Sequence, residues 1–275
     1  MKIERIYAKN ATYQRLEVLK TNRSKRYHYG QFFVEGVRNL NEAVHSGWEI
    51  VSFVYAPDDP LSGWAENLLQ TVPTQVNYAL TRALLADLSD KTDTSELMAV
   101  VRMRPDDPAG LALSERPLLM LFDRPGNKGN LGTIIRSCDA LGVDGLLLTG
   151  HAVDLYDPEV VVASMGSFFR LPVMRVPRQE TLDACLLKWR EAYPGFQCVG
   201  TTAHRENSID TVDLTLPTLL VIGNETDGMS RAYREGCDVL ATIPMAETAS
   251  ASSFNVACAA TVLLYEACRQ RRAAR

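Results

Sequence analysis

The sequence predicts an α/β protein in two parts, a larger second domain built on a mainly parallel sheet and a smaller α/β domain ahead of it. Three observations predict this. Beyond residue 118, short apolar runs alternate with stretches of helical periodicity, the pattern of strands joined by crossover helices. Residues 1–104 carry a mixed alternation of helix-like and strand-like segments. Between them RPDDPAGLALSERP is rich in proline and aspartate, which places a linker at 105–117 and the domains at 1–104 and 118–275.

In the first domain the pattern predicts a helix over about 11–27 and a strand at QFFVEG. NLNEAVHSG reads as a helix that Gly47 can end, and IVSFVYA as a strand stopped by PDDP. Residues 61–90 read as helix, strand and helix, and SELMAVVRM as a closing strand. In the second domain strands are predicted at LLMLFD (118–123), GLLLTG (145–150), FFRLPVMRV (168–176), QCVGTT (197–202), LLVIGN (219–224) and LATIPM (240–245). Helices are expected at about 131–141, 158–166, 179–192 and 229–236, with a last one from Ser253 into RQRRAAR. No internal repeat or low-complexity tract interrupts this order.

Composition limits the function classes. With 46% apolar and 23% charged residues in 275, the chain has the make-up of a soluble globular protein. No run approaches the roughly 18 apolar residues of a membrane span, and the charged N-terminus lacks a secretory core. Cys138, Cys185, Cys198, Cys237, Cys258 and Cys268 are scattered without a CxxC, which fits a reducing cytoplasm and no disulfide framework. His28, His45, His151 and His204 show no metal-ligand spacing, so no metal is expected. The net charge is −4, yet residues 1–40 hold nine bases against three acids, a local +6. KTNRSKRYHYGQFF interleaves bases with Tyr27, Tyr29, Phe32 and Phe33, a composition suited to phosphates and stacked bases. It equally describes a solvated basic face beside core aromatics.

In parallel α/β sheets ligands gather at the carboxyl ends of strands, which directs attention to the loops after Phe122, Ile222 and Ile243. The first, GNKGNLGTIIRSCDALG, lacks the Lys-Ser or Lys-Thr of a P-loop and the GxGxxG spacing of a dinucleotide loop. Its helix buries Leu131, Ile134, Ile135 and Cys138 on one stripe, and Arg136 lies off that stripe near the helix N-terminus. A cation there opposes the helix dipole and makes sense against a phosphate or carboxylate, or on the open surface. The second loop, IGNETDG, sets Gly223, Asn224 and Glu225 at a strand end, where a plain turn explains the glycine and asparagine well and a buried Glu225 less well. The third leads through SSFN into an apolar helix, where Ser253 fits a cap and Asn255 needs polar partners.

The combination NxGxxxR (Asn130, Gly132, Arg136), IGNExxG (222–228) and IPM…SxNVA…LLYE resembles the three motifs of SPOUT-class methyltransferases of the TrmH/SpoU branch, the RNA 2′-O-ribose methyltransferases. The motifs stand in that family's order over about 118–268, and the basic N-terminal segment with FFVEGVRNLNEAV is similar to its substrate-binding domain. The resemblance implies a trefoil-knotted C-terminal domain, S-adenosyl-L-methionine as cofactor and a homodimer. It assigns the cofactor to Thr201, Thr202, Gly223, Glu225, Ile243, Met245 and Phe254. It assigns catalysis to Asn130, Arg136, Glu225, Ser253 and Asn255, with the arginine approaching the cofactor of the other subunit. Two departures stand out. SFNVA replaces the usual SLNVS, putting Phe254 at the adenine pocket and Ala257 in place of a serine, and the 246–252 loop is longer and lacks its common glycine.

The expected reaction is methylation of a ribose 2′-OH in RNA, with ribosomal RNA ahead of transfer RNA as substrate. Arg23, Lys25, Arg26 and Arg38 are the expected RNA contacts. A guanidinium stays charged in proteins, so Arg136 is read as binding the phosphate beside the target ribose and stabilising developing alkoxide charge. The competing readings are a non-catalytic RNA-binding protein on the same scaffold and an enzyme that methylates a base nitrogen.

Overall fold

The computed structural model describes residues 2–203 and 207–274. They divide into two compact units, Met1–Pro105 with Asp154–Arg170, and Asp106–Val153 with Leu171–Arg275.

The first unit begins with β1 (Ile3–Ile6), α1 (Ala11–Thr21), α2 (Arg23–Tyr29), β2 (Gln31–Glu35) and α3 (Val37–His45). It continues through β3 (Ile50–Tyr55), α4 (Gly63–Thr71), β4 (Asn77–Leu80), α5 (Arg82–Leu88) and β5 (Leu97–Arg102). The sheet order is β1-β4-β3-β5-β2, parallel among β1, β4 and β3 and antiparallel at β5. The single helix expected over 11–27 is two, because Asn22 ends α1 in an extended conformation and its side chain accepts from Lys25 N to start α2.

Strand β2 shows why the first unit takes a piece of later sequence. Alternate residues face opposite sides of a sheet. Phe33 enters a core with Tyr13, Leu16 and Leu19 of α1 and Leu84, Leu85 and Leu88 of α5. Phe32 points the other way, into the rings of Trp48, Tyr156, Phe168 and Phe169. Those last three belong to the segment that carries α7 (Pro158–Ala163) and α8 (Ser167–Arg170). Phe168 and Phe169 were expected to open a strand. They are helical because both must be buried at once in this aromatic nest, and the strand starts only after Pro172. A buried pair strengthens the attachment, since Arg26 Nε donates to Asp154 Oδ2 at 2.7 Å and Tyr27 Oη to Asp154 Oδ1 at 2.8 Å.

The second unit contains β6 (Leu118–Asp123), α6 (Lys128–Ala140), β7 (Gly145–Thr149), β8 (Val173–Val176), α9 (Gln179–Ala192) and β9 (Gln197–Thr201). It ends with the two-residue β10 (Asn207–Ser208), β11 (Thr218–Ile222), α10 (Arg231–Gly236), β12 (Val239–Thr242) and α11 (Val256–Ala273). All seven strands are parallel, in the order β10-β12-β9-β11-β6-β7-β8. From β6 the chain runs outward through β7 and β8, then returns on the other side with β9, β11 and β12. The reversal falls between β6 and β11, where Phe122 pairs with Ile222. Their exit loops are therefore neighbours, and such a switch point is where these sheets hold ligands.

The stretch 105–117, expected as a linker, is fastened to this unit from Asp106 onward. Asp106 accepts from Arg175 N and Nε, both at 2.9 Å, and Leu111 and Leu113 pack on the core around Leu119 and Trp189. Its prolines and aspartates shape a packed strap, and composition alone does not separate that from a free connection.

Candidate functional site

Three loops meet at the switch point, and side-chain amides tie them together. Asn255 caps α11: its Oδ1 accepts from Ala257 N at 2.9 Å and from Cys258 N at 3.4 Å. With that oxygen committed, Nδ2 turns outward and donates to Asn130 Oδ1 at 3.2 Å. Asn130 must then present its own Nδ2 on its other side, where it donates to Glu225 Oε1 at 3.2 Å. Glu225 also accepts from Gly126 N at 3.0 Å and Asn127 N at 3.1 Å. The result is a directed relay from Asn255 through Asn130 to Glu225, fixed at one end by a helix cap. It holds the carboxylate over the N-terminus of α6, where the helix dipole favours an anion.

Glu225 is exposed. Its position is set by donors from the loop after β6, which do for it what enclosure would otherwise do. Asn127 caps α6 by accepting from Asn130 N at 2.9 Å. Asn224 holds the turn below Glu225, accepting from Thr226 N at 2.9 Å and donating to Arg124 O at 2.7 Å. The sequence reading leaves out Asn127, although an Asn just ahead of a helix is a readable cap.

The residues assigned to the cofactor occupy the exits of β9, β11 and β12, three strands adjacent in the sheet. Thr201 Oγ1 donates to Val221 O at 3.1 Å, and Thr202 N to Ala241 O at 3.0 Å, which joins these exits. Gly223 has no room for a side chain, since a Cβ there would stand 2.1 Å from Met229 N. Ile243 and Met245 are half-buried, and Phe254 is 45% exposed. An apolar set flanked by backbone and threonine groups fits a ligand with an aromatic base and a polar tail. Arg136 and Ser253 are exposed, and among the described residues neither side chain has a hydrogen-bond or ion-pair partner. The relay therefore joins Asn130, Glu225 and Asn255, and leaves Arg136 and Ser253 outside it.

Arg136 leaves a helix pair that is internally closed. Ser137 and Thr261 share a 2.7 Å hydrogen bond between α6 and α11, and Cys138 is buried, with its thiol pushed far up by desolvation. The outer side of α11 carries Cys258, Val262 and Tyr265, all exposed, at spacings that make one stripe. At its far end Arg271 donates to the carbonyls of Arg116 (2.6 Å), Leu216 (2.7 Å) and Leu214 (2.9 Å), just ahead of β6 and β11. Burial pulls the pKa of this guanidinium below its ordinary value.

Of the bases expected to meet RNA, Arg23, Lys25 and Arg38 are exposed. Arg26 is a correction. It is 1% exposed, donates to Leu19 O at 3.1 Å and Lys20 O at 2.7 Å, and is paired with Asp154. Its fork closes the C-terminal end of α1, and no RNA phosphate can reach it. Phe32 and Phe33, read as part of a base-stacking cluster, are core residues for the reason given above. Among the described residues no three His, Cys, Asp or Glu side chains gather as a metal site requires, and no helix is long and apolar enough to cross a membrane. His204 lies outside the described residues.

Comparison with known proteins agrees with this architecture. Residues 117–265 match the SpoU rRNA Methylase family and residues 10–99 the SpoU L30e-like domain. The chain is 46% identical over 268 residues to the 23S rRNA (uridine(2479)-2'-O)-methyltransferase of Streptomyces viridochromogenes, covering 97% of this chain and 92% of that protein. The SpoU methyltransferase AviRb of the same organism, crystallised in complex with AdoMet, aligns with a TM-score of 0.91 at 45% identity, over 97% of this chain and 100% of that one. An AdoMet-bound rRNA methyltransferase from Sinorhizobium meliloti aligns with a TM-score of 0.81 at 26% identity, over 97% and 98%. The chain belongs to the SpoU rRNA methylase family.

Proposed function

We infer that this protein transfers a methyl group from S-adenosylmethionine to a ribose 2′-OH of ribosomal RNA. The observation that carries the reading is the Asn255–Asn130–Glu225 relay at the switch point, beside the strand exits that would hold the cofactor. The 46% identity to a protein named for this reaction on 23S rRNA supports the same substrate class here.

Thr201, Thr202, Gly223, Ile243, Met245 and Phe254 are the residues that would hold S-adenosylmethionine, and Phe254 offers its ring to the adenine. The cofactor supplies a methyl group already activated by its sulfonium, so the protein's task is to place the 2′-oxygen in line and favour loss of its proton. Arg136 binds the phosphate beside the target ribose and stabilises negative charge as it develops on the 2′-oxygen. Its free guanidinium is available for a fork-shaped contact. Asn130 and Ser253 orient the ribose, while Glu225 and Asn255 hold Asn130 in its single productive orientation.

We further propose a homodimer through the α6–α11 surface. The Cys258–Val262–Tyr265 stripe is apolar and unpartnered in one chain, and Arg136 stands on the helix packed beside it, able to serve the partner's site. A knotted C-terminal domain is proposed on the same family grounds, with Arg271 securing α11 against the entries of β6 and β11. The exposed Arg23, Lys25 and Arg38 would give the N-terminal unit its hold on RNA, in the cytoplasm.

The test is transfer of labelled methyl to unmodified ribosomal and transfer RNA, followed by alkaline hydrolysis. Label in an alkali-resistant dinucleotide from ribosomal RNA is expected. Label only in transfer RNA would change the substrate, and cofactor binding without transfer to any RNA would favour a non-catalytic scaffold.

A further inference from the structure

Glu225 depends on a turn, and the turn depends on a residue that touches nothing reactive. Arg124, the first residue beyond β6, has φ +52°. That left-handed conformation suits glycine or asparagine and disfavours other residues, whose Cβ crowds the following carbonyl. Its side chain supplies the compensation. Nε donates to both Asp123 oxygens at 3.2 and 3.1 Å, and Nη2 donates to Gly228 O at 2.9 Å. Asp123, only 2% exposed, also accepts from Ser230 N at 2.8 Å. Meanwhile the carbonyl of Arg124 receives Asn224 Nδ2 at 2.7 Å. One residue thus grips both ends of the turn that carries Glu225, by its carbonyl at Asn224 and by its guanidinium at Gly228. Room for the side chain comes from Gly150, where a Cβ would lie 2.5 Å from Arg124 Cγ.

We propose that Arg124 is a positioning residue for methyl transfer: it locks the 224–228 turn against the loop after β6 and so sets Glu225 and, through it, Asn130. The proposal rests on the function inferred above. Arg124 acts on the placement of the 2′-oxygen and the cofactor, so its loss lowers turnover and leaves RNA capture intact. The charge is neutralised locally by Asp123, which leaves little of it to attract phosphate.

The test variant is Arg124→Asn, which tolerates the left-handed backbone and removes the guanidinium. Misplacement of reacting groups by about an ångström costs on the order of 100-fold in rate. The expected result is a fall in kcat of about 10- to 100-fold, an RNA KM within about twofold of the parent and a several-fold weaker S-adenosylmethionine Kd by calorimetry. Arg124→Lys, with one donor group in place of a fork, should recover part of the turnover. Unchanged kcat and Kd would overturn the proposal. So would a raised RNA KM with unchanged kcat, which would make Arg124 an RNA contact. Should Arg124→Asn fail to fold, the same split is read on Arg124→Lys. Cofactor titration needs no RNA: if the parent binds S-adenosylmethionine but methylates no RNA, the substrate reading falls while the variant's Kd still judges Arg124.

Discussion

Arg136 and Arg26 show how differently two arginines behave once their surroundings are known. Arg136 is free and exposed, so its proposed work is done by the shape of its fork. Arg136→Lys keeps the charge and loses the paired donors, and kcat should fall at least tenfold, roughly 1.4 kcal/mol of transition-state stabilisation. Near-normal turnover would show that a point charge suffices. Arg26 is buried on Asp154, and Arg26→Ala would leave that carboxylate uncompensated at a cost of about 3–5 kcal/mol, read as a loss of stability in urea. Arg23→Ala with Lys25→Ala should raise the RNA KM and flatten its salt dependence. No change in KM would assign both residues to solvent. The sequence places all three bases in one cluster and has no means of separating them. The partner that buries Arg26 lies 128 residues away, and no local pattern carries such a pairing.

At the scale of elements, periodicity was a good guide wherever one face of a segment is buried and the other wet. Helix α9 at Gln179–Ala192 matches its expected bounds, with Leu182, Cys185 and Trp189 on its inner side. Periodicity misplaces the buried run at 168–169, while β6, β7 and β11, buried at every position, fall where expected. Phe168 and Phe169 sit in a short helix inside an aromatic nest, and an apolar run of that length reads equally well as a strand. The three motif loops were legible because each joins a strand end to unusual polar residues. The direction of the amide relay was not, because it follows from which oxygen caps α11. The outer stripe of that helix leads to a further expectation. Tyr265→Asp puts a charge on the proposed self-complementary surface, and sedimentation should show monomers with methyl transfer reduced at least tenfold, because Arg136 would lose the site it serves. A dimer that survives the substitution would move the interface elsewhere.

On the scale of the whole molecule, strand order matters more than any single contact. Placing β11 between β6 and β9 puts the loop after β6, proposed for catalysis, beside the loops after β9, β11 and β12, proposed for the cofactor, although they lie up to about 120 residues apart in sequence. The alternation of strands and helices announced a parallel sheet but not this order, which arises from the chain's return across the switch point. The first unit, with its exposed bases, would supply RNA affinity, and the second the chemistry. The central claim is that the Asn255–Asn130–Glu225 relay positions a ribose for methylation. It is tested most directly by digesting 23S rRNA after incubation with labelled cofactor and either the parent protein or Asn130→Ala. Label in an alkali-resistant dinucleotide is expected with the parent, and at least a 100-fold lower yield with Asn130→Ala at undiminished RNA binding. Label in mononucleotides, or an Asn130→Ala protein as active as the parent, would contradict it.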